Sequence, residues 1–339
     1  MGAGPTTRVL GTDREAIAAA ARCLAAGGLV AFPTETVYGL GADAQNGEAV
    51  ARLYEAKSRP AFNPLITHVG DSGAGERLAR FSADARRLAQ AFWPGPLTLV
   101  LPKRPDCPVA ELAMAGLDSL ALRVPDHPVA RAIIEVFGKP VVAPSANRSG
   151  HVSPTTAAHV LADLRGRIDL IVDGGPAPIG IESTIVACLN GPLLLRPGGV
   201  PRAKIARVLG RELPDPGPPA SPGEREIPVA PGQLASHYAP RTPLRLDATE
   251  VKEGEALLAF GHELPKSAER AVKVLSLSPS GNLIEAAANL FSHLRVLDSA
   301  GARAIAVMPV PRTGLGEAID DRLRRAAAPR CKTHHMEAS

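Results

Sequence analysis

The densest run of chemically able residues is Pro33-Thr34-Glu35-Thr36-Val37-Tyr38-Gly39-Leu40-Gly41. It follows Leu29 to Phe32, a short apolar stretch that reads as a strand. Small hydroxyls, an acid and glycines at the C-terminal end of a strand are what a ligand crevice needs. Gly39-x-Gly41-x-x-Ala44 has the outline of a dinucleotide fingerprint, yet its first glycine lies well past the strand and no helix opens at its third position. A Walker-type loop is missing too, because Gly138-Lys139 runs into Pro140. A nucleotide would have to be held by other donors.

Lys57-Ser58-Arg59, leading into Asn63-Pro64-Leu65, sets two cations one residue apart between a helix and a strand. As a phosphate clamp, Arg59 would supply a planar fork and Lys57 a point charge. As helix-terminal cations they would only answer the macrodipole. Pro144-Ser145-Ala146-Asn147-Arg148-Ser149-Gly150 leaves a strand and approaches Ser153-Pro154. Its hydroxyls and amides could bind an anion together with helix N–H groups, or form a plain polar turn. Arg123 before Pro125, Glu182-Ser183-Thr184, and Arg196 before Pro197-Gly198-Gly199 repeat this placement at strand ends. So many cations and hydroxyls in equivalent positions point to one crevice.

The elements that must carry these residues alternate in type. Asp13 to Ala26 is Ala-rich and stops at Gly27-Gly28; Glu48 to Ala56, Ser82 to Phe92 and His127 to Phe137 have helical spacing. Pro64 to Val69, Leu97 to Leu101, Leu120 to Val124, Val141 to Ala143, Leu170 to Val172, Thr184 to Ala187 and Leu193 to Leu195 read as strands. Ser153 and Pro154 have the residue types of an N-cap and first turn for a helix reaching Leu164. The pattern is that of a mixed α/β domain over residues 1–210. Residues 211–232 hold seven prolines, which predicts an extended linker, taken here as 211–241. A smaller α/β unit follows over 242–339, with strands at 256–260 and 304–307 and helices at 283–294 and 315–327.

Composition excludes several function classes. A formal net charge of +4 is too weak to argue for nucleic acid, and Arg322, Arg324 and Arg325 read as a solvated helix face. The four cysteines are scattered without a C-x-x-C pair, against both a disulfide scaffold and a zinc site; Cys23 and Cys188 sit in apolar runs as small core residues. Neither a signal peptide nor a membrane-length apolar stretch is evident, which implies the cytoplasm and no membrane partner. An RNA-binding module using the same basic concavity would need aromatics interleaved with Lys and Arg, and aromatics are only 3% of the chain.

Taken together, PTETVYGLGADA (33–44), KSRPAFNPL (57–65), FWPGPLTLVL (92–101), RVPDHP (123–128), APSANRSG (143–150), SPTTA (153–157), DGG (173–175), ESTIV (182–186) and LRPGG (195–199) resemble the YrdC-like threonylcarbamoyl-AMP synthases in their two-domain form. PGQLASHYAP (231–240) resembles the linker of those members, and GLGEAIDDRLRRAAAP (314–329) the close of their second domain. Ser58 stands where glycine is common, and Gln233 where methionine is common.

The resemblance implies a twisted mixed sheet with a concave site and a smaller Rossmann-like C-terminal domain. It implies a catalytic set of Lys57, Arg59, Ser145 and Asn147. Thr36, His68, Arg123, Ala143 and Ser183 would surround threonine. Arg59, Asn63, Ser119, Ser145, Ser153, Arg196 and Tyr238 would surround ATP, with the linker closing over the nucleotide. The implied reaction joins L-threonine, bicarbonate or CO2, and the AMP part of ATP into threonylcarbamoyl-AMP, with release of pyrophosphate. It would use Mg²⁺ with ATP, no resident metal and no tightly bound organic cofactor. The product would go to a threonylcarbamoyl transferase complex, so tRNA is reached indirectly. A related carbamoyl-adenylate chemistry is the nearest enzymatic alternative, although such proteins usually carry cysteine-rich or zinc modules that this chain lacks. The second domain is expected to regulate, to anchor the lid or to dock a partner.

Overall fold

The computed structural model describes residues 6–216 and 237–329. Most of the proline-rich segment, Gln233 and Cys331 lie outside these residues. The first part runs β1 (Arg8–Leu10), α1 (Arg14–Ala25), β2 (Val30–Pro33), β3 (Tyr38–Asp43), α2 (Gly47–Lys57), β4 (Ile66–His68), α3 (Ser72–Leu78), α4 (Ala83–Phe92), β5 (Leu97–Pro102), α5 (Glu111–Met114) and β6 (Ser119–Arg123). It continues through α6 (Pro128–Phe137), β7 (Val141–Val142), α7 (Ala157–Leu164), β8 (Leu170–Val172), β9 (Thr184–Cys188), β10 (Pro192–Arg196) and α8 (Arg202–Leu209). After residue 237 come β11 (Leu244–Arg245), β12 (Glu255–Ala259), β13 (Val274–Ser276), α9 (Leu283–Asp298), β14 (Ala304–Val307) and α10 (Gly316–Ala327).

Two sheets result. The large one is mixed, in the order β1-β8-β2-β3-β7-β4-β6-β5-β9-β10, and the small one is parallel, β11-β14-β12-β13. The central strands β2, β3, β4, β7 and β9 are buried along their whole length. That explains why β2, β7 and β9 read as short apolar runs instead of alternating ones. Helices start where the side chains dictate: Asp13, Asn46, Ser82 and Thr156 each accept a backbone N–H of the first turn.

Three expectations need correction. The run from Tyr38 to Asp43 is strand, not crevice loop, and Gly39 and Gly41 serve packing. A Cβ on Gly41 would lie 2.6 Å from the Phe32 ring and 3.1 Å from Val141. The helix before Leu164 begins at Ala157 with Thr156 as its cap, because the Ser153 hydroxyl is spent elsewhere, on Glu182. Arg322 is wholly buried rather than solvated, since α10 turns it inward. The short β1 and the helix α8 carried too little periodicity to be read from sequence.

The two sheets share a core. Val37, Val152, Ile181 and Tyr238 pack in one apolar cluster with Ala286, Leu290, Phe291 and Leu294 of α9. Gly180, at φ +77°, brings its Cα against α9 so closely that a Cβ would meet the Ala287 carbonyl oxygen at 2.5 Å.

Ser58 caps α2 in the left-handed conformation, φ 50° and ψ 46°, and donates its N–H back to Glu55 and Tyr54. A serine there carries a Cβ penalty that glycine lacks. Ser58→Gly is therefore expected to raise unfolding free energy by about 0.5–1 kcal/mol, measured by urea denaturation. An unchanged or lower midpoint would contradict the assignment of strain at this cap.

Candidate active site

The site is assembled by strand register. In the parallel pair β4–β6, His68 sits beside Arg123. The Ala143 N–H donates to Ile66 O at 2.9 Å just beyond β7. The loop after β7 is then stitched to β3: Leu40 N donates to Pro144 O at 2.7 Å and Ala146 N to Tyr38 O at 2.8 Å, which fixes Ser145 between them. At the other side, a register shift in β10 between Leu194 and Arg196 re-aims Arg196 toward the start of β9. Its guanidinium donates to Ser183 O at 2.8 and 3.2 Å. The turn that follows needs Gly198, because a Cβ there would meet the backbone of Glu182, Ser183 and Thr184 at 2.4 Å.

Around one hollow stand Thr36, Val37, Arg59, Ile66, His68, Arg123, Ala143, Pro144, Ser145, Glu182, Ser183, Arg196, His237 and Tyr238. All five residues expected around threonine are present, together with Arg59, Ser145, Arg196 and Tyr238. Lys57, Asn63, Asn147, Ser119 and Ser153 do not line it. Lys57 lies beneath, buried, its ammonium donating to the carbonyls of Ser145 and Asn147 at 2.5 Å each. Ser153 backs the wall by donating to Glu182 at 2.6 Å. The Asn63 amide is buried without a partner, while its carbonyl accepts from Arg59 Nε at 3.2 Å. Ser119 begins β6 at the end away from Arg123, four residues off, roughly 13 Å along the strand. Glu182, expected at the crevice by its strand-end position though given no role there, lines the hollow, and so does His237, which no local signal picked out.

Charge is organised against cost. Arg123 is buried and paired with Glu35 at 2.5 Å, and it donates to the Thr36 hydroxyl at 3.0 Å. The second Glu35 oxygen takes the Asp126 N–H at 3.0 Å, so both of its oxygens are already bonded. Burial pushes the Arg59 guanidinium down to about 10, still charged at neutral pH. Burial and then the Arg59 charge drive Lys57 well below its ordinary value. Burial and then Arg123 push the His68 imidazole down to about 3, so the ring is neutral. No group of three or more potential metal ligands occurs among the described residues.

A family model described as telomere recombination matches residues 22–198, and one described as threonylcarbamoyl-AMP synthase, C-terminal domain, matches residues 200–328. The chain is 42% identical over 337 residues to a threonylcarbamoyl-AMP synthase of Bacillus subtilis, covering 96% of each chain. This chain belongs to the threonylcarbamoyl-AMP synthase family. The family's enzyme of Pyrococcus abyssi is 42% identical, over 89% of this chain and 91% of that one. Its crystal structure, described as Sua5 complexed with L-threonine, superposes with a TM-score of 0.85 at 38% identity, covering 94% of this chain and 97% of that one. The chain is thus a nucleotidyltransferase that makes threonylcarbamoyl-AMP.

Lys57 braces the loop that carries Ser145 by bonding two of its carbonyls, and the Ser145 carbonyl also accepts the Asn147 N–H at 3.0 Å. Lys57→Met should lower unfolding free energy by about 1–3 kcal/mol by leaving the Asn147 carbonyl without its donor, read by chemical denaturation. A midpoint equal to wild type would show that the ammonium is not holding the loop.

Proposed function

We propose that threonine and ATP meet in the hollow between β3, β4, β6, the loop after β7, and Tyr238. The observation that supports this most is the convergence of Arg59, Arg123 and Arg196 with the Thr36, Ser145 and Ser183 hydroxyls around one small space. Every reactant except the amine is anionic, so the protein must supply cations and N–H or O–H donors rather than a nucleophile. Arg123 and Thr36 hold the threonine carboxylate. Neutral His68, whose Nδ1 lies 3.3 Å from Ile66 O, keeps Nε2 as an acceptor toward the amine. The amine nitrogen attacks CO2 and its proton passes to water, giving a carbamate. A carbamate oxygen then attacks the α-phosphorus, the bond from that phosphorus to the bridging oxygen breaks, and pyrophosphate leaves.

Arg59 and Arg196 offset the charge growing on the phosphates, and Lys57 and Asn147 fix the loop that presents Ser145. Mg²⁺ entering with ATP would neutralise phosphate charge while held by phosphate oxygens and water. The one carboxylate lining the hollow, Glu182, already uses both oxygens on Ser153 and Arg322, so the protein offers no cage of its own. The product feeds a carbamoyl transfer onto tRNA. The cytoplasm suits it, and no helix among the described residues is long and apolar enough to cross a membrane.

The hollow has about 50 Å³ of free space, whereas pockets for nucleotide-sized ligands run to roughly 300–1,000 Å³. His237 and Tyr238, both lining the hollow, would have to lift for it to admit ATP. Tyr238 is held at φ 61°, a strained value for a bulky residue. A larger cleft of about 630 Å³ lies elsewhere, among Asp71, Arg77, Arg131 and Lys139. It lacks the clustered hydroxyls and buried guanidiniums that this chemistry requires.

Pure protein incubated with ATP, Mg²⁺, bicarbonate and individual amino acids should release pyrophosphate only with threonine and form an acyl-adenylate. Arg59→Ala is expected to lose about a hundredfold in kcat/KM, about 3 kcal/mol of transition-state stabilisation; full rate would remove Arg59 from the site. Tyr238→Ala should weaken ATP turnover, and kinetic constants equal to wild type would reject the lid.

A further inference from the structure

Arg322 is an arginine in the wrong place for a solvated helix. It belongs to α10, packed against the small sheet, yet none of it is exposed. Its Nε donates to Glu182 Oε2 at 2.8 Å, across 140 residues of chain. Its Nη1 donates to the neighbouring Asp321 at 2.6 Å, and Nη2 is buried without a partner. The guanidinium carbon lies 5.2 Å from the centre of the Tyr238 ring, whose other neighbour is Phe291, stacked at 5.6 Å. Burying an ion pair costs several kcal/mol in desolvation, and packing alone would be served as well by an apolar side chain of similar volume. A reason for the charge has to be sought in what it touches.

That is Glu182, the one carboxylate lining the hollow. The Glu182 side chain has two partners: Arg322 on Oε2 and the Ser153 hydroxyl on Oε1. Burial pushes its carboxyl up, but Arg322 first and Arg196 second outweigh burial and hold it below its ordinary value. Glu182 is also adjacent in sequence to Ser183, whose carbonyl anchors Arg196. Take Arg322 away and the other cation acting on this carboxylate is Arg196, which lines the same hollow. A carboxylate drawn to Arg196 would occupy the guanidinium needed by phosphate, and a carboxylate left unpaired would repel the triphosphate.

We propose that Arg322 is a positioning residue for the nucleotide site: from the second domain it neutralises Glu182 and so keeps Arg196 available to the triphosphate. The inference rests on the placement of ATP beside Arg59 and Arg196 proposed above. It gives the C-terminal domain a defined part in substrate binding that does not require that domain to touch a substrate. It also accounts for the Tyr238 ring lying between Phe291 and Arg322, since the residue that covers the hollow and the residue that balances its acid are fixed by the same two helices.

The test is a cycle on the full chain, reading KM for ATP and for threonine separately from initial rates of pyrophosphate release. Arg322→Met should raise KM for ATP about thirtyfold, in the range expected for breaking a buried pair, while KM for threonine stays within about twofold. Adding Glu182→Gln should bring KM for ATP back to within about threefold of wild type, because the amide still accepts from Ser153 but carries no charge to misplace. An Arg322→Met enzyme with KM for ATP within about twofold of wild type overturns the proposal. So does a double variant as impaired as the single one, which would make Arg322 a packing element only. Should the single variant fail to fold, the double variant decides: a folded chain with near-normal KM for ATP supports the role, and an unfolded one makes Arg322 structural and sinks it. Arg196→Ala, assayed in parallel, reports on the underlying placement: an unchanged KM for ATP there removes the triphosphate from Arg196, whatever the Arg322 cycle gives.

Discussion

Three guanidiniums and an ammonium drawn out of water into one small region are the constraint from which the rest of this molecule follows. Burial weakens the protonated forms of Lys57, Arg59 and Arg196, and mutual repulsion adds to it between Lys57 and Arg59 and between Arg59 and Arg196. Such a cluster persists only if carbonyl oxygens and a few acids take up its donors. The backbone supplies most of them: Ser145 and Asn147 for Lys57, Asn63 and Pro64 for Arg59, Ser183 for Arg196. Carbonyls satisfy the donors without cancelling the charge. The positive potential is therefore preserved for an anionic ligand, which is the preorganisation that adenylyl transfer needs.

Two acids are bonded to guanidiniums at the edge of this cluster, each to a specific one. Glu35 is given to Arg123 and to the Asp126 N–H, at the threonine end. Glu182 is given to Arg322, which arrives from the second domain. The contrast is instructive. At the first pair both partners belong to the large sheet and its turns, whereas at the second the compensating charge comes from α10. The catalytic unit is thus electrically incomplete without its neighbour. The packing of α9 against Gly180 and the shared apolar cluster around Tyr238 hold that neighbour in register.

Geometry inside the large sheet does the remaining work. Pairing of β4 with β6 sets His68 beside Arg123, and the bulge in β10 turns Arg196 back over β9. Gly198 lets the following turn lie directly on the Glu182–Thr184 backbone. These are contacts between segments far apart in sequence, so small changes in register would disperse the cluster. The gathering of Arg59, Ser145 and Arg196 at one hollow, with Lys57 bonded just beneath, is the arrangement on which the functional reading depended.

Much of this was legible in the chain alone. Apolar runs and capping residues located most of the strands and helices, because local periodicity and side-chain caps act within a few residues. The clusters at 33–41, 57–65 and 143–150 identified themselves by residue type, and the family resemblance named the residues around the hollow. Other features lay beyond local sequence. Gly39 and Gly41 have only the outline of a nucleotide loop, and close contact of Gly39 with Ala143 and of Gly41 with Phe32 and Val141 makes them packing residues. Ser153 had the chemistry of a helix cap, and Glu182, 29 residues away, claimed its hydroxyl. Arg322 belonged to a basic run suited to solvent, until the fold set it against Glu182 and Tyr238. The sequence determined which groups could carry charge and where helices and strands would form. The tertiary structure alone decided which charges meet, because the energy of a buried ion depends on partners that chain distance does not reveal.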